Sequence, residues 1–288
     1  MIDPSVADIS KPVAITIGVL VLLAGWVFYD LLCRSSIGNS ERLLSAILCV
    51  FLIVVAWGLC HLFSGRGAYI HFGAMLGTIM VGNVRFVIIP GQKDLVQAKE
   101  EGRQPDPIHG IRGKQRSVHN TYFTLPVLFI MISNHYALTY GHEYNWLILL
   151  AITLAGALIR VYFVNRHFGK ASLVPIAVAV AILAGIAAMT MPATRTTDTT
   201  AGVAFSDVKN VVINRCASCH AQVPAQPGFA SAPKGVLLET DEQILSQATT
   251  IHQQTVISKA MPIGNLTGIT DDERALIDAW FASGASGE

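Results

Sequence analysis

The residues best placed to do chemistry are Cys216-Ala217-Ser218-Cys219-His220. Two thiols and an imidazole at Cys-x-x-Cys-His spacing read as an attachment site for c-type haem. The thiols form thioethers with the porphyrin vinyl groups, and His220 ligates the iron. The spacing predicts one short helical turn that holds the porphyrin at three adjacent points. A zinc knuckle and a redox pair use related spacings. Zinc needs two further ligands nearby, and no cysteine follows Cys219. A thioredoxin-like pair expects a βαβ setting, of which the sequence has no sign. Haem iron in a small domain commonly takes a methionine opposite the histidine. The segment after residue 205 holds a single methionine, Met261, in Lys259-Ala260-Met261-Pro262. Pro262 blocks a helix there and predicts a rigid loop. His252 is the rival sixth ligand.

The elements that position these groups divide the chain by composition. Hydrophobic residues make up 52% and charged residues 14%, which places much of the chain in a membrane. A net charge of +1 gives no basis for a nucleic-acid partner. Cys33, Cys49 and Cys60 lie in or beside apolar runs and form no disulfide framework. The expected organisation is a membrane domain over residues 1–191, a Thr-rich flexible linker over 192–205 and a small haem domain over 206–288. The haem domain is expected to open on a helix over Ser206–Cys219. It should end on a second helix capped by Thr270, with an acidic first turn at Asp271-Asp272-Glu273 and an apolar face of Leu276, Ile277, Trp280 and Phe281.

Six apolar segments, Pro12–Leu32, Leu43–Phe63, Tyr69–Pro90, Asn120–Tyr140, Asn145–Val164 and Ser172–Met191, each approach the ~20 residues that cross a bilayer. The fold class is therefore all-α: a bundle of about six transmembrane helices followed by a small class I cytochrome c domain. The first segment has an acidic flank and too long an apolar run for a signal peptide. If haem is attached outside the bacterial inner membrane, three loops fall inside: Cys33–Arg42, Gly91–Val118 and Asn165–Ala171. Ten Lys and Arg lie in those loops, against Lys11, Arg66 and Arg195 outside, which is the positive-inside bias. Gly91–Val118, with Pro105 and Pro107, reads as a long solvated loop whose His109 and basic run to Arg116 are an alternative mouth for an anion.

Ionisable groups at membrane depth are costly and mark candidate sites. His71, Thr78 and Arg85 recur every seven residues with Met75 and Gly82 between them, so one face of the third segment is expected to look into the bundle. Asn120, Thr124, Met131 and Asn134 form a similar stripe on the fourth, and Thr153 and Arg160 share a face of the fifth. The guanidinium forks of Arg85 and Arg160 either snorkel to the headgroups or, with Asn83 or Asn120, suit a planar anion. His71, His119 and His135 are general-base candidates by chemistry. Two histidines from one level, such as two of His61, His71 and His135, are what a b-type haem would require.

The runs HFGAMLGTIMVGNVRFVIIPGQ (His71–Gln92) and QRSVHNTYFTLPVLFIMISNHY (Gln115–Tyr136), followed by CASCH, resemble the bacterial membrane-bound, cytochrome c-linked urate oxidases. The resemblance spans membrane part, linker and haem domain in the same order. It implies additional N-terminal membrane sequence ahead of MIDPSVADIS. It also implies oxidation of urate to 5-hydroxyisourate, with electrons passing to haem c and then to a downstream cytochrome or terminal oxidase, without hydrogen peroxide. The competing reading is a membrane-anchored c-type cytochrome that carries electrons or serves as a quinol-oxidising subunit.

Overall fold

The computed structural model describes residues 2–3, 6–133, 136–170, 172–191 and 203–287, and the regular elements among them are all helical. The chain divides into two compact units. Unit 1 is Met1–Ile2 with Ile9–Thr190, and unit 2 is Asp3–Asp8 with Met191–Glu288. Residues 192–202 of the expected linker lie outside the described ones, as do Asn134 and His135.

Unit 1 is a helical bundle. Its elements are α1 (Lys11–Arg34), α2 (Glu41–Leu62), α3 (Gly65–Gly82), a π-wound turn (Asn83–Ile88), α4 (Ile89–Glu100), α5 (Pro107–Ser133), the short α6 (Ala137–Tyr140), α7 (Asn145–His167) and α8 (Val174–Met189). Among the described residues, four helical runs are long and apolar enough to cross a membrane: Lys11–Arg34, Glu41–Leu62, Gly65–Glu100 and Asn145–His167. Four of the six expected spans meet that length and composition among the described residues. The α8 helix is apolar but only 16 residues long. The 27-residue α5 is apolar only in its second half, because its first half carries Arg112, Lys114 and Arg116. Outward side chains of the long helices, such as Ile15, Leu23 and Leu31, are exposed apolar surface, which fits association with a membrane.

Glycines set the helix spacing. A Cβ added at Gly18 would lie 2.5 Å from His71 Nε2, at Gly25 2.5 Å from Met75 Cγ, and at Gly82 2.6 Å from the Trp26 ring, so α1 and α3 pack backbone to side chain. Gly73 likewise seats Ile130 of α5, with 2.4 Å to a built Cβ, whereas nothing lies within 4 Å of such an atom at Gly77. The core between these helices holds Tyr29, Phe63, Phe72, Met75, Leu76 and Ile79.

Two expectations change here. Most of Gly91–Val118 is helical, with only residues 101–106 between α4 and α5. The prolines sit where a helix tolerates them: Pro90 in the first turn of α4 and Pro107 at the start of α5. The π turn also breaks the seven-residue stripe of α3. One extra residue in a turn rotates everything after it, so Met75 and Asn83 are fully buried while Arg85 is exposed. On α5, Ile130 faces inward onto Gly73, so its neighbour Met131 points out of the bundle at 67% exposure.

Unit 2 is built from α9 (Phe205–Arg215), α10 (Asp241–Ser246), α11 (Ala248–His252), a π turn (Gln253–Ile257) and α12 (Asp271–Ala282). The α9 helix stops at Arg215, so Cys216 begins a turn instead of ending a helix. There the amides of Cys219 and His220 both donate to the Cys216 carbonyl, at 3.1 and 2.9 Å. At the other end Thr270 caps α12: its hydroxyl accepts the Glu273 amide while the Glu273 carboxylate accepts the Thr270 amide. Ile277 and Trp280 are fully buried against Phe205, Val208 and Val212 of α9.

Candidate functional site

Cys216, Cys219, His220 and Met261 all line one cavity of about 340 Å³ in unit 2, with an otherwise mostly apolar wall that includes Phe229, Leu238, Ile251, Ile263 and Leu266. Both cysteines are free thiols. Burial pushes the Cys216 thiol up to about 12, so it stays protonated at neutral pH. His220 Nδ1 lies 3.0 Å from the Val236 carbonyl. A carbonyl only accepts, so Nδ1 carries the proton and Nε2 keeps a free lone pair, the form in which histidine binds a metal. Two thiols, one imidazole nitrogen and one thioether are the donor set by which a porphyrin iron is attached and ligated.

Two arginines hold the loop that carries Met261. Arg274 on α12, 8% exposed, donates Nη1 to the carbonyls of Thr255 and Met261, the latter at 3.1 Å. Arg215 donates Nη1 to the Thr267 carbonyl at 2.7 Å, and the Thr267 hydroxyl returns a bond to the Arg215 carbonyl at 2.8 Å. Glu273 takes the other side of that fork, with Nε 3.0 and 3.1 Å from its two oxygens. Burial alone would raise the Glu273 pKa. The Arg215 and Thr270 hydrogen bonds outweigh it and hold the carboxyl below its ordinary value. His252, the rival ligand, pairs with Asp278 at 2.8 Å and stacks on Phe281 at 4.1 Å, and it is not part of the cavity wall.

Unit 1 carries a second polar assembly. Arg116, 2% exposed, reaches Asp30 through Nη2 at 2.9 Å and the Asn83 side-chain oxygen through Nη1 at 3.1 Å. Asp30 also pairs with Arg34 one turn along α1, at 2.7 Å. Asn83 Nδ2 donates to Asn120 Oδ1 at 2.8 Å and to the Tyr29 hydroxyl at 3.2 Å. Asn120 in turn donates to the Met80 carbonyl at 3.1 Å. The Tyr29 hydroxyl lies 2.8 Å from His119 Nδ1. The π turn makes this possible, since it turns Asn83 inward beside α1 and α5.

Of the residues singled out in the sequence, Asn83, Asn120 and His119 come together in this assembly. Arg85 does not join it: its side chain is exposed and its guanidinium lies 5.6 Å from the Phe86 ring. Arg160 sits half-buried on α7, and its Nε is sealed from solvent with no hydrogen-bond partner among the described residues. His71 donates Nδ1 to the Gly67 carbonyl at 2.8 Å, stacks on Phe63 at 4.6 Å and presses Nε2 against Gly18, which leaves no space for a porphyrin at that nitrogen. His61 is bonded to the Trp57 carbonyl at 2.7 Å. His135 lies outside the described residues. Sequence reasoning does not single out Tyr29 or Asp30, nor the buried pairing of Arg116 with Asp30 and Asn83. The signal for Asp30 is available in the sequence: a carboxylate inside the first apolar run needs a buried cation, whereas Arg116 reads there as a basic residue of an inside loop or of an anion mouth.

No curated protein and no solved structure matches this sequence. The family described as urate oxidase N-terminal matches residues 1–191, a span that includes all of unit 1 with its Asp30–Arg116–Asn83–Tyr29–His119 assembly; the chain belongs to that family.

Proposed function

We propose that this chain is a multi-pass enzyme of the bacterial inner membrane that oxidises urate to 5-hydroxyisourate. The urate monoanion and one water give neutral product, one proton and two electrons. The electrons leave through a haem c in unit 2 to a downstream cytochrome or terminal oxidase, and no hydrogen peroxide forms. The observation that carries this reading is the convergence of Cys216, Cys219, His220 and Met261 on one cavity, in a chain whose first 191 residues belong to the urate oxidase N-terminal family.

Cys216 and Cys219 would anchor the porphyrin, and His220 Nε2 and the Met261 sulfur would be the groups that hold its iron. Bound there, the group would supply one-electron chemistry, so the two electrons of each urate would call for two successive transfers. Arg274 and Arg215 keep the Met261 loop against the cavity by holding its backbone carbonyls. In unit 1 we place urate at the His119 end of the polar assembly. The ring nitrogen Nε2 has no protein partner among the described residues, and Arg116 supplies positive charge nearby.

The test uses membranes containing the full chain, with urate added in air. Urate should disappear and 5-hydroxyisourate form with no peroxide, together with a c-type pyridine haemochrome. Stoichiometric peroxide, or haem-loaded membranes that leave urate untouched, would overturn the reading and leave a membrane-anchored electron carrier in its place.

A further inference from the structure

The hydrogen bonds of the unit 1 assembly have a direction, and it is set from two ends. A guanidinium only donates, so Asn83 must turn its amide oxygen to Arg116 Nη1. A backbone carbonyl only accepts, so Asn120 must turn its amide nitrogen to Met80 and its oxygen to Asn83. Both anchors give the same answer: the two hydrogens of Asn83 Nδ2 go to Asn120 Oδ1 and to the Tyr29 oxygen. Having received one hydrogen, Tyr29 has two further neighbours for its own, the Cys33 thiol and His119 Nδ1 at 2.8 Å, and the imidazole nitrogen is much the stronger acceptor. A ring nitrogen that accepts carries no proton. A proton on Nδ1 would fill both lone pairs of the Tyr29 oxygen and send the phenol hydrogen to the Cys33 sulfur, a weak acceptor, beside a ring that has the Arg116 guanidinium 4.9 Å from its centre.

We infer that His119 is locked as the neutral imidazole with its proton on Nε2, and that it acts on urate as a hydrogen-bond donor and not as the general base. Arg116, Asn83 and Tyr29 are positioning residues: each acts through the next, and Asp30 holds Arg116 in place. The assignment deepens the reading of unit 1 as the place of urate oxidation and rests on it. A neutral N–H beside an anionic substrate stabilises negative charge on a ring oxygen as water adds. It takes up no proton, so the proton released by the reaction goes to solvent. Nε2 suits this role because the hydrogen bond that His119 makes among the described residues is through Nδ1.

Solid-state NMR of the full chain in bilayers, with 15N-labelled histidine, reads the tautomer directly. The nine histidines are separated by the loss of one signal in His119→Gln. The wild type should show His119 with an unprotonated Nδ1 and a protonated Nε2, and Tyr29→Phe should give a mixture of tautomers. For urate turnover, His119→Gln keeps a donor at similar reach and should stay within about 10-fold of wild type, while His119→Ala should lose about 100-fold or more, mostly in kcat. A wild-type spectrum with the proton on Nδ1 overturns the inference, as does equal loss in the Gln and Ala variants. If the wild type oxidises no urate, the reading of unit 1 fails instead, and the spectrum still decides the tautomer.

Discussion

Unit 1 and unit 2 each bury arginines, but they use them in opposite ways. In unit 1, Arg116 bonds mainly to other side chains, and the bonds run as an open chain from Asp30 through Asn83 to Tyr29 and His119. In unit 2, Arg215 and Arg274 face backbone carbonyls of one loop and leave the cysteine, histidine and methionine side chains to a cavity. The first arrangement fixes which atom carries a proton. The second fixes where a soft ligand sits while leaving room beside it. The difference follows from the work proposed for each: proton placement at a small anion in unit 1, and a large rigid prosthetic group in unit 2.

The contrast is broken most severely at Asp30. Asp30→Ala strands a buried guanidinium, and losing one partner of a buried pair costs about 3–5 kcal/mol. The expected result is loss of folded protein in a detergent thermal-shift measurement. Arg116→Leu should cost less, about 1–3 kcal/mol, because Asp30 keeps Arg34 while Asn83 loses only one donor. An equal loss in the two variants would contradict this asymmetry.

Next comes the clamp of unit 2. Arg274→Met removes charged donors from the carbonyls of Thr255 and Met261, an effect of about 1.5–3 kcal/mol. With haem bound, exogenous imidazole should displace the sixth ligand more readily in this variant than in wild type. Unchanged imidazole affinity would show that the loop holds itself.

Between the helices of unit 1, Gly82→Ala drives a Cβ to 2.6 Å from the rigid Trp26 ring, and overpacking of this kind costs about 1–3 kcal/mol. Gly77→Ala, with nothing within 4 Å of the new atom, is the matched control and should be neutral in the same thermal-shift assay.

The smallest effect is electrostatic. The Glu273 pKa is depressed in the folded chain, so its contribution is complete above the unfolded value of about 4.3 and is lost as pH falls through the lower folded value. For this partly exposed pair the contribution is about 1 kcal/mol or less. Glu273→Gln keeps the capping box and removes the charge, so the difference from wild type in acid unfolding should vanish once the pH has fallen through the depressed folded value.

What the sequence disclosed follows the range of the interactions. Cys216 to His220, the cap at Thr270 and the apolar face of α12 are local, with spacing and chemistry a few residues apart. The assembly of unit 1 is not. Tyr29, Asn83 and His119 are separated by 54 and 36 positions, and only helix packing brings them together. Periodicity also fails where the backbone leaves the α-helix, and the π turn at Asn83–Ile88 is why Arg85 reads as inward in the sequence and lies outward in the fold. Charged residues in α5 lowered its hydropathy and made its first half read as a loop, although Arg116 there is a core residue.

The central claim is that electrons taken from urate in unit 1 leave through the Cys216–His220 site. The most direct measurement is an anaerobic titration of haem-loaded membranes with urate, followed by the haem absorbance. Because each urate yields two electrons, the account predicts full reduction at half an equivalent of urate per haem. Attached haem that stays oxidised through excess urate would contradict it.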